Sequence, residues 1–301
     1  MGTNSRRVSV VIASIAGAPF IDECLMSLER QAKDCGAEVI VVACGTAEYA
    51  DRIAQKFPWV RVIHRAERET VPDLRRRGVE AASGDLVAII EEHCLAAPDW
   101  LPRAIEAHAG GDYGVAGGPV MDYNYKRLRD WVVYFCEYNN YFPPWREGEP
   151  HDMGSANIAY SRALLLKYKD LLGLGYWEVG LHPRLMADGV KFRPAPAMLV
   201  YHRGPFNYVY YLKQRYWFSR AFAGARSPYL PASRKIAYCL ASPLVPFLLL
   251  ARMAQRVWRQ HCHFEKFTQA LPLLIPVLIV YVAGEVVGYL AGPKDALLKV
   301  E

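Results

Sequence analysis

The stretch that most constrains the fold is a short apolar segment, Leu86–Ile90, which is followed at once by Glu91-Glu92-His93. Because Gly-Asp precedes the segment and charge follows it, the pattern predicts a strand that is buried on both faces of an α/β sheet. Open α/β sheets bind their ligands at the carboxyl edge of such strands. Two carboxylates and an imidazole at that edge are typical of a metal- or phosphate-binding position, and a solvated turn is the structural alternative.

The segments before this strand alternate between two hydrophobic periods. Short β-branched runs predict strands at residues 8–14, 38–43 and 59–64, and helical spacing predicts helices at residues 21–32 and 48–57. Strands that alternate with helices in this way form a parallel sheet with right-handed crossovers. The fold class predicted for this half of the chain is therefore α/β.

Length and composition indicate a second, apolar part. A chain of 301 residues can hold one α/β domain of about 200 residues and an appendage. Hydrophobic residues make up 52% of the chain, and the longest apolar runs follow Arg234. The net charge of +6 is modest, and the basic residues cluster only beside apolar stretches, which favours anionic membrane lipid over nucleic acid as a partner. The seven cysteines form no CxxC pair, which is typical of free thiols in a reducing compartment.

The apolar part predicts attachment to a membrane. In residues 206–226 we assign aromatic side chains to one helix face and basic side chains, including Arg215 and Arg226, to the other, as in a helix that lies among lipid headgroups. Residues 271–290 are long enough to span a bilayer, whereas residues 236–251 are short and predict a re-entrant or interfacial segment, with a two-span hairpin as the alternative. The polar segment 1–7 predicts no signal peptide, so the α/β part is expected at a cell membrane on the cytoplasmic side.

Several motifs together resemble those of the family 2 glycosyltransferases. The strand, the acidic triplet and the following Pro98-Asp99-Trp100-Leu101 resemble the DXD region of that family, and VSVVIAS, EVIVVACGT and GSANIAY are similar to other strands of it. The resemblance implies a GT-A fold, which is a Rossmann-like, mostly parallel sheet, over residues 1–205. An amphipathic interfacial helix and linker would then occupy residues 206–235, and a membrane-embedded helical region residues 236–301.

The resemblance also implies a metal site. In the family the triplet is usually all aspartate and holds the divalent metal that carries the nucleotide-sugar diphosphate. Here the implied metal ligands are Glu92, His93 and His202, the last of these in the motif Val-Tyr-His-Arg. Because imidazole is a softer ligand than carboxylate, Mn²⁺ is expected more than Mg²⁺.

Further residues are assigned to the nucleotide-sugar donor through the same resemblance. They are Ser14, Gly45, Arg75, Glu91 and Asn157. Of the three adjacent arginines at 75–77 at most two can point to one place on a helix, and Arg75 is the one we favour for the diphosphate. The family's aspartate at the end of the second strand is replaced by Ala43-Cys44, which leaves the nucleoside base open.

The catalytic residue that the resemblance implies is Glu178. Alignment of Leu181, Arg184, Leu185 and Gly189 with the family pattern places Glu178 where the family has its catalytic base. A carboxylate there would take the proton of an acceptor hydroxyl as it attacks the anomeric carbon, in one inverting displacement. A carboxylate just before a helix is also favoured simply as a cap.

The function expected from the sequence is therefore inverting transfer of a sugar from a nucleotide-diphosphate sugar to a lipid-linked or membrane-proximal hydroxyl acceptor. One alternative is a polyprenyl-phosphate glycosyltransferase of the same fold, whose acceptor is already ionised and needs no base. A second alternative, suggested by the altered aspartate positions at Ala43 and Glu91, is a non-catalytic membrane scaffold.

Overall fold

A computed structural model describes residues 7–15, 19–109, 113–145, 153–204 and 207–300. The chain forms two compact units. The first contains Met1–Tyr123 and Tyr141–Arg203, and the second contains Asn124–Asn140 and Gly204–Glu301. Residues 1–6 of the polar N-terminal segment, and the predicted boundary between residues 205 and 206, lie outside the described residues.

The first unit is an α/β structure. Its strands are β1 (Val8–Ser14), β2 (Glu38–Cys44), β3 (Arg61–Arg65), β4 (Leu86–Ile90), β5 (Cys94–Ala96), β6 (Val115–Gly117), β7 (Val120–Asp122), β8 (Asn157–Ser161), β9 (Phe192–Pro194) and β10 (Val200–His202). Its helices are α1 (Phe20–Cys35), α2 (Ala47–Lys56), α3 (Val71–Ala81), α4 (Trp100–Ala107), α6 (Arg162–Lys167) and α7 (Leu181–Ala187), with a 3-10 turn at Lys169–Leu171; α5 (Leu128–Glu137) belongs to the second unit.

Seven of the strands form one sheet in the order β3-β2-β1-β4-β8-β6-β9. Strands β1 to β4 run parallel, as the alternating pattern predicts, and all five residues of β4 are buried. Strand β8 runs antiparallel to both of its neighbours, so the sheet is mixed but mostly parallel. The predicted fold class is confirmed, and β4 lies in the middle of the sheet with its polar end at the carboxyl edge.

A smaller sheet in the order β5-β10-β7 follows directly from that edge. In this sheet β10 is antiparallel to β5, and His202 lies opposite Cys94. The region 114–122 contains two short strands, β6 and β7, which belong to different sheets. Because of this register, residue 202 lies near the end of β4, although it follows β4 by more than 100 residues in the sequence.

The second unit is helical. Its helices are α5, α8 (Tyr208–Arg226), α9 (Ala232–Ala241), α10 (Val245–Gln260) and α11 (Phe264–Ala291), with 3-10 turns at Ser227–Tyr229, Ser242–Leu244 and Ala296–Lys299. Helices α8 and α11 pack closely at two glycines, since a Cβ atom on Gly284 would lie 2.4 Å from the carbonyl oxygen of Tyr216 and one on Gly288 would lie 2.6 Å from that of Arg220. Small residues therefore set the distance between these two helices.

Two helical stretches of this unit meet the length and composition of a membrane span. They are Ala232–Gln260, which comprises α9 and α10, and Phe264–Ala291, which is α11. The first stretch exposes most of its apolar side chains, among them Leu240, Leu244 and Phe247. The helical structure therefore extends beyond the short segment 236–251 that the apolar run alone defines.

The predicted separation of aromatic and basic faces on residues 206–226 is wrong for two of the arginines. With 3.6 residues per turn, Arg215 follows Tyr211 and Arg226 follows Phe222 by about one turn each, so both arginines share the aromatic face. Arg215 is buried with its guanidinium 4.6 Å from the centre of the Phe218 ring. Arg226 lies 3.1 Å from the Glu285 carboxylate. These two charges are engaged within the unit and are not a lipid-binding face.

Candidate functional site

The candidate site lies where parallel strands β1, β2 and β4 end at the same edge of the sheet. Helix-connected parallel strands place the residues that follow them together, which is why ligands bind at this edge. The four residues after β4 form a turn in which the Cys94 amide donates to the Glu91 carbonyl at 2.9 Å. A turn of this kind brings its first and last residues close together.

The Glu92 side chain points to the end of β1. One carboxylate oxygen accepts a hydrogen bond from the Ser14 hydroxyl at 2.6 Å, and the other accepts one from the Ile15 amide at 2.8 Å. The residue is 6% exposed. The geometry makes Glu92 a support for the chain that leaves β1, and the metal-ligand role expected for it stays a prediction.

Ser14 is shared between two groups. Its hydroxyl contacts both Glu92 and the Tyr49 hydroxyl of α2, and the residue is fully buried. Burial, and secondarily the charge of Glu92, raises the pKa of Tyr49. The phenol therefore stays protonated, which lets it act as a donor in this network. The expected donor-binding role of Ser14 also stays a prediction.

The Glu91 side chain points to α3 and to His93. Its Oε1 atom lies 3.1 Å from Arg75 Nη2, and its Oε2 atom lies 3.2 Å from His93 Nε2. Arg75 is buried, whereas Arg76 pairs with Asp73 and Glu80, and Arg77 pairs with Glu69. Of the three arginines, Arg75 is the one that reaches the acidic turn, in agreement with the choice made from the sequence.

His93 lies in a cluster of possible metal ligands. The ligand atoms of Glu91, His93 and Cys94 all lie within 4.8 Å of one another. The His202 ring is 5.1 Å from the His93 ring between centroids and perpendicular to it. Burial, together with the neighbouring His93, holds the pKa of His202 well below its usual value, while Glu91 opposes this shift. A neutral imidazole is the form that binds metal, so carboxylate, imidazole and thiol groups here fit a divalent ion.

Gly45 follows β2 at the same edge. Its φ of +147° is in the region that favours glycine, and its amide donates to the Arg65 carbonyl at 3.0 Å. The preceding Cys44 is buried and its thiol donates to the Glu67 carbonyl. Cys44 is thus a small buried residue at a strand end. The donor-binding role expected for Gly45 stays a prediction.

The Asn157 side chain connects several chain segments. Its carbonyl accepts from the Trp100 indole at 2.7 Å, and its amide donates to the carbonyls of Pro119 at 2.9 Å and Met198 at 2.6 Å. The residue is 1% exposed. These contacts connect the first residue of β8 to the chain at Trp100, Pro119 and Met198. The donor-sugar role expected for Asn157 stays a prediction.

Glu178 precedes α7 and is held by Ser155. Its Oε1 atom accepts from the Ser155 amide at 2.8 Å and from the Ser155 hydroxyl at 2.6 Å. Next to it, the buried His182 Nε2 and Tyr160 hydroxyl are 2.6 Å apart. Burial lowers the pKa of His182, which the Glu178 charge opposes, and burial followed by that same charge raises the pKa of Tyr160.

Three residues of these networks were not identified from the sequence. In the sequence, Cys94 looks like an ordinary residue of an apolar strand. Only the turn after β4 places its thiol beside Glu91 and His93. Tyr49 and Ser155 become relevant only through hydrogen bonds to Ser14 and Glu178 that span 35 and 23 positions of sequence. The one sequence signal that could have identified any of these three residues is the motif Gly-Ser-Ala-Asn, which contains Ser155.

A mostly parallel sheet with carboxylate, imidazole and guanidinium groups at its carboxyl edge places the chain among the open α/β proteins, which bind their ligands at that edge. The model of the family "Glycosyl transferase family 2" matches residues 9–168, more than half of the 301-residue chain. The chain therefore belongs to glycosyl transferase family 2, and the predicted family is confirmed.

Individual relatives match smaller parts. Glucosyl-dolichyl phosphate glucuronosyltransferase of Haloferax volcanii is 30% identical over 100 residues, which are 32% of this chain and 30% of the relative. The chain spans about 30% of the length of the first curated relatives that it matches.

Solved structures share the fold. The mannosyltransferase PcManGT of Pyrobaculum calidifontis, solved with GDP-Man and Mn²⁺, has a TM-score of 0.56 and 19% identity, covering 96% of this chain and 88% of its own. GalNAc-T7, solved with UDP, GalNAc and Mn²⁺, has a TM-score of 0.52 and 14% identity, covering 76% and 52%. At these identities the likeness concerns the fold.

Proposed function

We propose that the protein is a metal-dependent, inverting glycosyltransferase that moves a sugar from a nucleotide-diphosphate sugar to a hydroxyl of a lipid-linked or membrane-proximal acceptor. Membership of the family and the polar groups at the carboxyl edge of β1, β2 and β4 support this proposal. Two related folds were solved with GDP-Man or UDP together with Mn²⁺, which supports a nucleotide-sugar donor and a divalent metal here.

The donor diphosphate would lie against Arg75 and a metal held by Glu91 and His93, with His202 behind them. When bound by these residues, a divalent ion would supply positive charge that offsets the charge developing on the leaving nucleoside diphosphate. Arg75 is held in place by Glu91 and offers the planar guanidinium that suits a phosphate. Two imidazoles beside one carboxylate favour Mn²⁺ over Mg²⁺, because Mg²⁺ prefers oxygen ligands.

The observation that carries the catalytic assignment is the environment of Glu178. Among the described residues, the hydrogen bonds to its carboxylate all reach Oε1, so Oε2 is available to accept a proton. Ser155 fixes the orientation of the carboxylate and lies in the segment just before β8, which pairs with β4. An oriented carboxylate is what an acceptor hydroxyl needs as a general base.

Donor binding tests the proposal directly. Mn²⁺ together with the matching nucleoside diphosphate should raise the unfolding temperature of the purified protein, because a ligand at 100 times its Kd stabilises by about 2.7 kcal/mol. A panel of nucleoside diphosphates with and without Mn²⁺ would also identify the base. If no member of the panel stabilises the protein in the presence of Mn²⁺, the proposal of a nucleotide-sugar donor site fails.

An acceptor at the membrane is supported by two observations. One relative is named for action on a glucosyl-dolichyl phosphate, and two helical stretches of this chain have the length and composition of membrane spans. The same observations favour, as a second candidate, direct transfer to a polyprenyl phosphate. We place the first unit on the cytoplasmic side, where nucleotide sugars would reach it.

The exposed apolar residues of α9 and α10 should dominate membrane attachment. We expect the protein to float with neutral vesicles as well as anionic ones, and to stay bound at high salt, because Leu240 and Leu244 insert while Arg215 and Arg226 are engaged internally. The double variant Leu240→Glu, Leu244→Glu should bind several-fold less, and the matched change Met26→Glu on α1 serves as the control. Binding that requires anionic lipid and disappears in salt would instead support the lipid partner expected from the sequence.

A further inference from the structure

We propose that the helical unit binds a membrane from one side only, with its apolar side chains in one leaflet, so that neither candidate span crosses the bilayer. The bound surface, which we call the lipid face, consists of the exposed apolar side chains of α9, α10 and one side of α11. Its partner is a leaflet with anionic headgroups on the cytoplasmic side. This inference goes beyond the proposed glycosyl transfer, because a donor site would work with either form of attachment.

Helix α11 has one exposed side and one covered side. Within residues 271–290 the exposed residues are apolar and recur at helical spacing: Pro272, Ile275, Pro276, Ile279, Ala283 and Leu290. With 3.6 residues per turn, Gly284 and Gly288 lie on the opposite side. They face α8, since a Cβ atom on either glycine would collide with backbone atoms of that helix. A lipid leaflet can therefore cover the exposed side, whereas the other side packs within the unit.

Helix α8 runs beside α11 in the same direction. The backbone at Tyr216 meets Gly284, and four residues later the backbone at Arg220 meets Gly288, also four residues later. The two helices therefore advance together. Lys213 precedes Tyr216 by three residues, so it is about level with residue 281, and its side chain is exposed. A charged, exposed side chain thus lies beside the middle of the second candidate span.

The chain that follows α11 turns back along α8. Pro293 lies against Gly224, close to the end of α8. Six residues later, the Lys299 carbonyl accepts a hydrogen bond from Gln214 Nε2 at 3.2 Å. Lys299 also pairs with Asp295 at 2.9 Å, and the two side chains are 43% and 55% exposed. A second set of exposed charges is therefore level with the middle of α11.

These charges argue against a crossing by α11. If residues 271–290 spanned a bilayer, residue 281 would lie at its centre, because about 20 apolar residues match the hydrocarbon thickness. Charged side chains are costly at that depth and are rare there unless they face a bundle interior or a water-filled cavity. Lys213 and Lys299 are exposed instead. When the unit lies in one leaflet, both side chains face headgroups or water while the lipid face is immersed.

The first candidate span also favours binding from one side. Its uncharged run, residues 236–251, is about 24 Å long at 1.5 Å per residue, which is less than the roughly 30 Å of a hydrocarbon core. Basic residues flank the run at both ends: Arg234 and Lys235 before it, and Arg252, Arg256 and Arg259 after it. Basic residues stay on the cytoplasmic side and are attracted to its anionic lipids. Both ends of the run therefore belong on the same side.

Labelling of added cysteines from the two sides of a membrane tests this inference. The full-length protein carries either Arg259→Cys, at the end of α10, or a cysteine added after Glu301. Right-side-out and inverted vesicles from expressing cells are treated with a membrane-impermeant maleimide, and the wild type gives the background of native thiols. Both added thiols should react at least tenfold more in inverted vesicles, which expose the cytoplasmic side.

A crossing would give a different pattern. Reaction at position 259 from the far side would indicate a two-span hairpin, and reaction of the C-terminal thiol from that side would indicate a crossing by α11. Either result overturns the inference. An added thiol that reacts only after detergent dissolves the membrane overturns it as well.

Ile279→Glu and Lys213→Glu form a matched pair, because the two positions are about level on opposite sides of α11. With neutral vesicles, Ile279→Glu should reduce flotation several-fold, and Lys213→Glu should stay within twofold of the wild type. Equal losses would mean that both sides contact lipid. A protein that stays off vesicles and forms a dimer, which Ile279→Glu dissociates, would show that a second copy covers the lipid face. Both results contradict the inference. Neither experiment uses a nucleotide sugar, so the proposed function stands or fails separately.

Discussion

Replacement of Glu178 by Gln should reduce sugar transfer to a hydroxyl acceptor by roughly 10²–10⁴. The amide keeps the size of the side chain and can still accept the two hydrogen bonds from Ser155 at Oε1, but it cannot take a proton from the acceptor. Affinity for the nucleotide sugar should change little, because the groups proposed to bind the donor diphosphate, Arg75, Glu91 and His93, surround the turn after β4. The rate and the donor Kd should therefore be measured together.

Asp188→Asn is a suitable control, since it makes the same chemical change at the other end of α7. Asp188 is bound by the Tyr168 hydroxyl and the Arg184 guanidinium, which hold the pKa of its carboxyl below the usual value. This variant should keep most of the transfer rate. If Glu178→Gln transfers at the wild-type rate, or if its donor affinity collapses, the base assignment has to be abandoned.

The same variant separates the two acceptor classes. A polyprenyl phosphate is already ionised and does not need a general base, so the loss of Glu178 should cost far less with that acceptor. A small effect with a phosphate acceptor and a normal Kd for the donor would favour the second candidate. A loss of 10²–10⁴ with a hydroxyl acceptor would favour the first.

The central part of the fold is readable in the sequence because each strand is short, apolar and bounded by charge or glycine. Strands β1 and β4 begin and end where the pattern places them, at Val8–Ser14 and Leu86–Ile90. The small sheet could not be predicted in this way. Its strands β5, β7 and β10 have three residues each, which is too short for a period-two pattern, and their pairing depends on contacts distant in sequence.

The sequence predicted where the candidate site lies but not the directions in which its side chains point. The sequence places a polar turn at the end of β4, yet within a turn no fixed period decides which of two adjacent glutamates faces which way. Glu91 faces Arg75 and His93, while Glu92 faces Ser14 and the chain after β1. The resemblance assigned Glu92 to the metal and Glu91 to the nucleotide sugar, whereas Glu91 is the glutamate that lies beside His93.

The different directions of Glu91 and Glu92 lead to the second prediction with a large expected effect, which concerns Mn²⁺ binding. His93→Ala and Glu91→Gln should each weaken Mn²⁺ binding more than tenfold, since even residues that only support a metal ligand typically change affinity by about 10- to 100-fold. Nucleotide binding that depends on Mn²⁺ should weaken with it. Mn²⁺ affinity can be read from the electron paramagnetic resonance signal of the free ion, and the unfolding temperature shows whether the fold is intact.

Glu92→Gln is the matched comparison for Glu91→Gln, because the two residues are adjacent and the chemical change is identical. If the geometry of the turn decides the ligands, Glu92→Gln should keep its Mn²⁺ affinity within a few-fold and lose stability instead. The reason is that the Glu92 carboxylate accepts hydrogen bonds from the Ser14 hydroxyl and the Ile15 amide. Hydrogen bonds to a charged group are worth about 1.5–3 kcal/mol each. The opposite result, with Mn²⁺ affinity lost in Glu92→Gln and kept in Glu91→Gln, would restore the ligand set expected from the sequence. If Glu91→Gln, Glu92→Gln and His93→Ala all keep the wild-type Mn²⁺ affinity, the ion binds elsewhere. In that case no carboxylate or imidazole of this turn contributes to its binding.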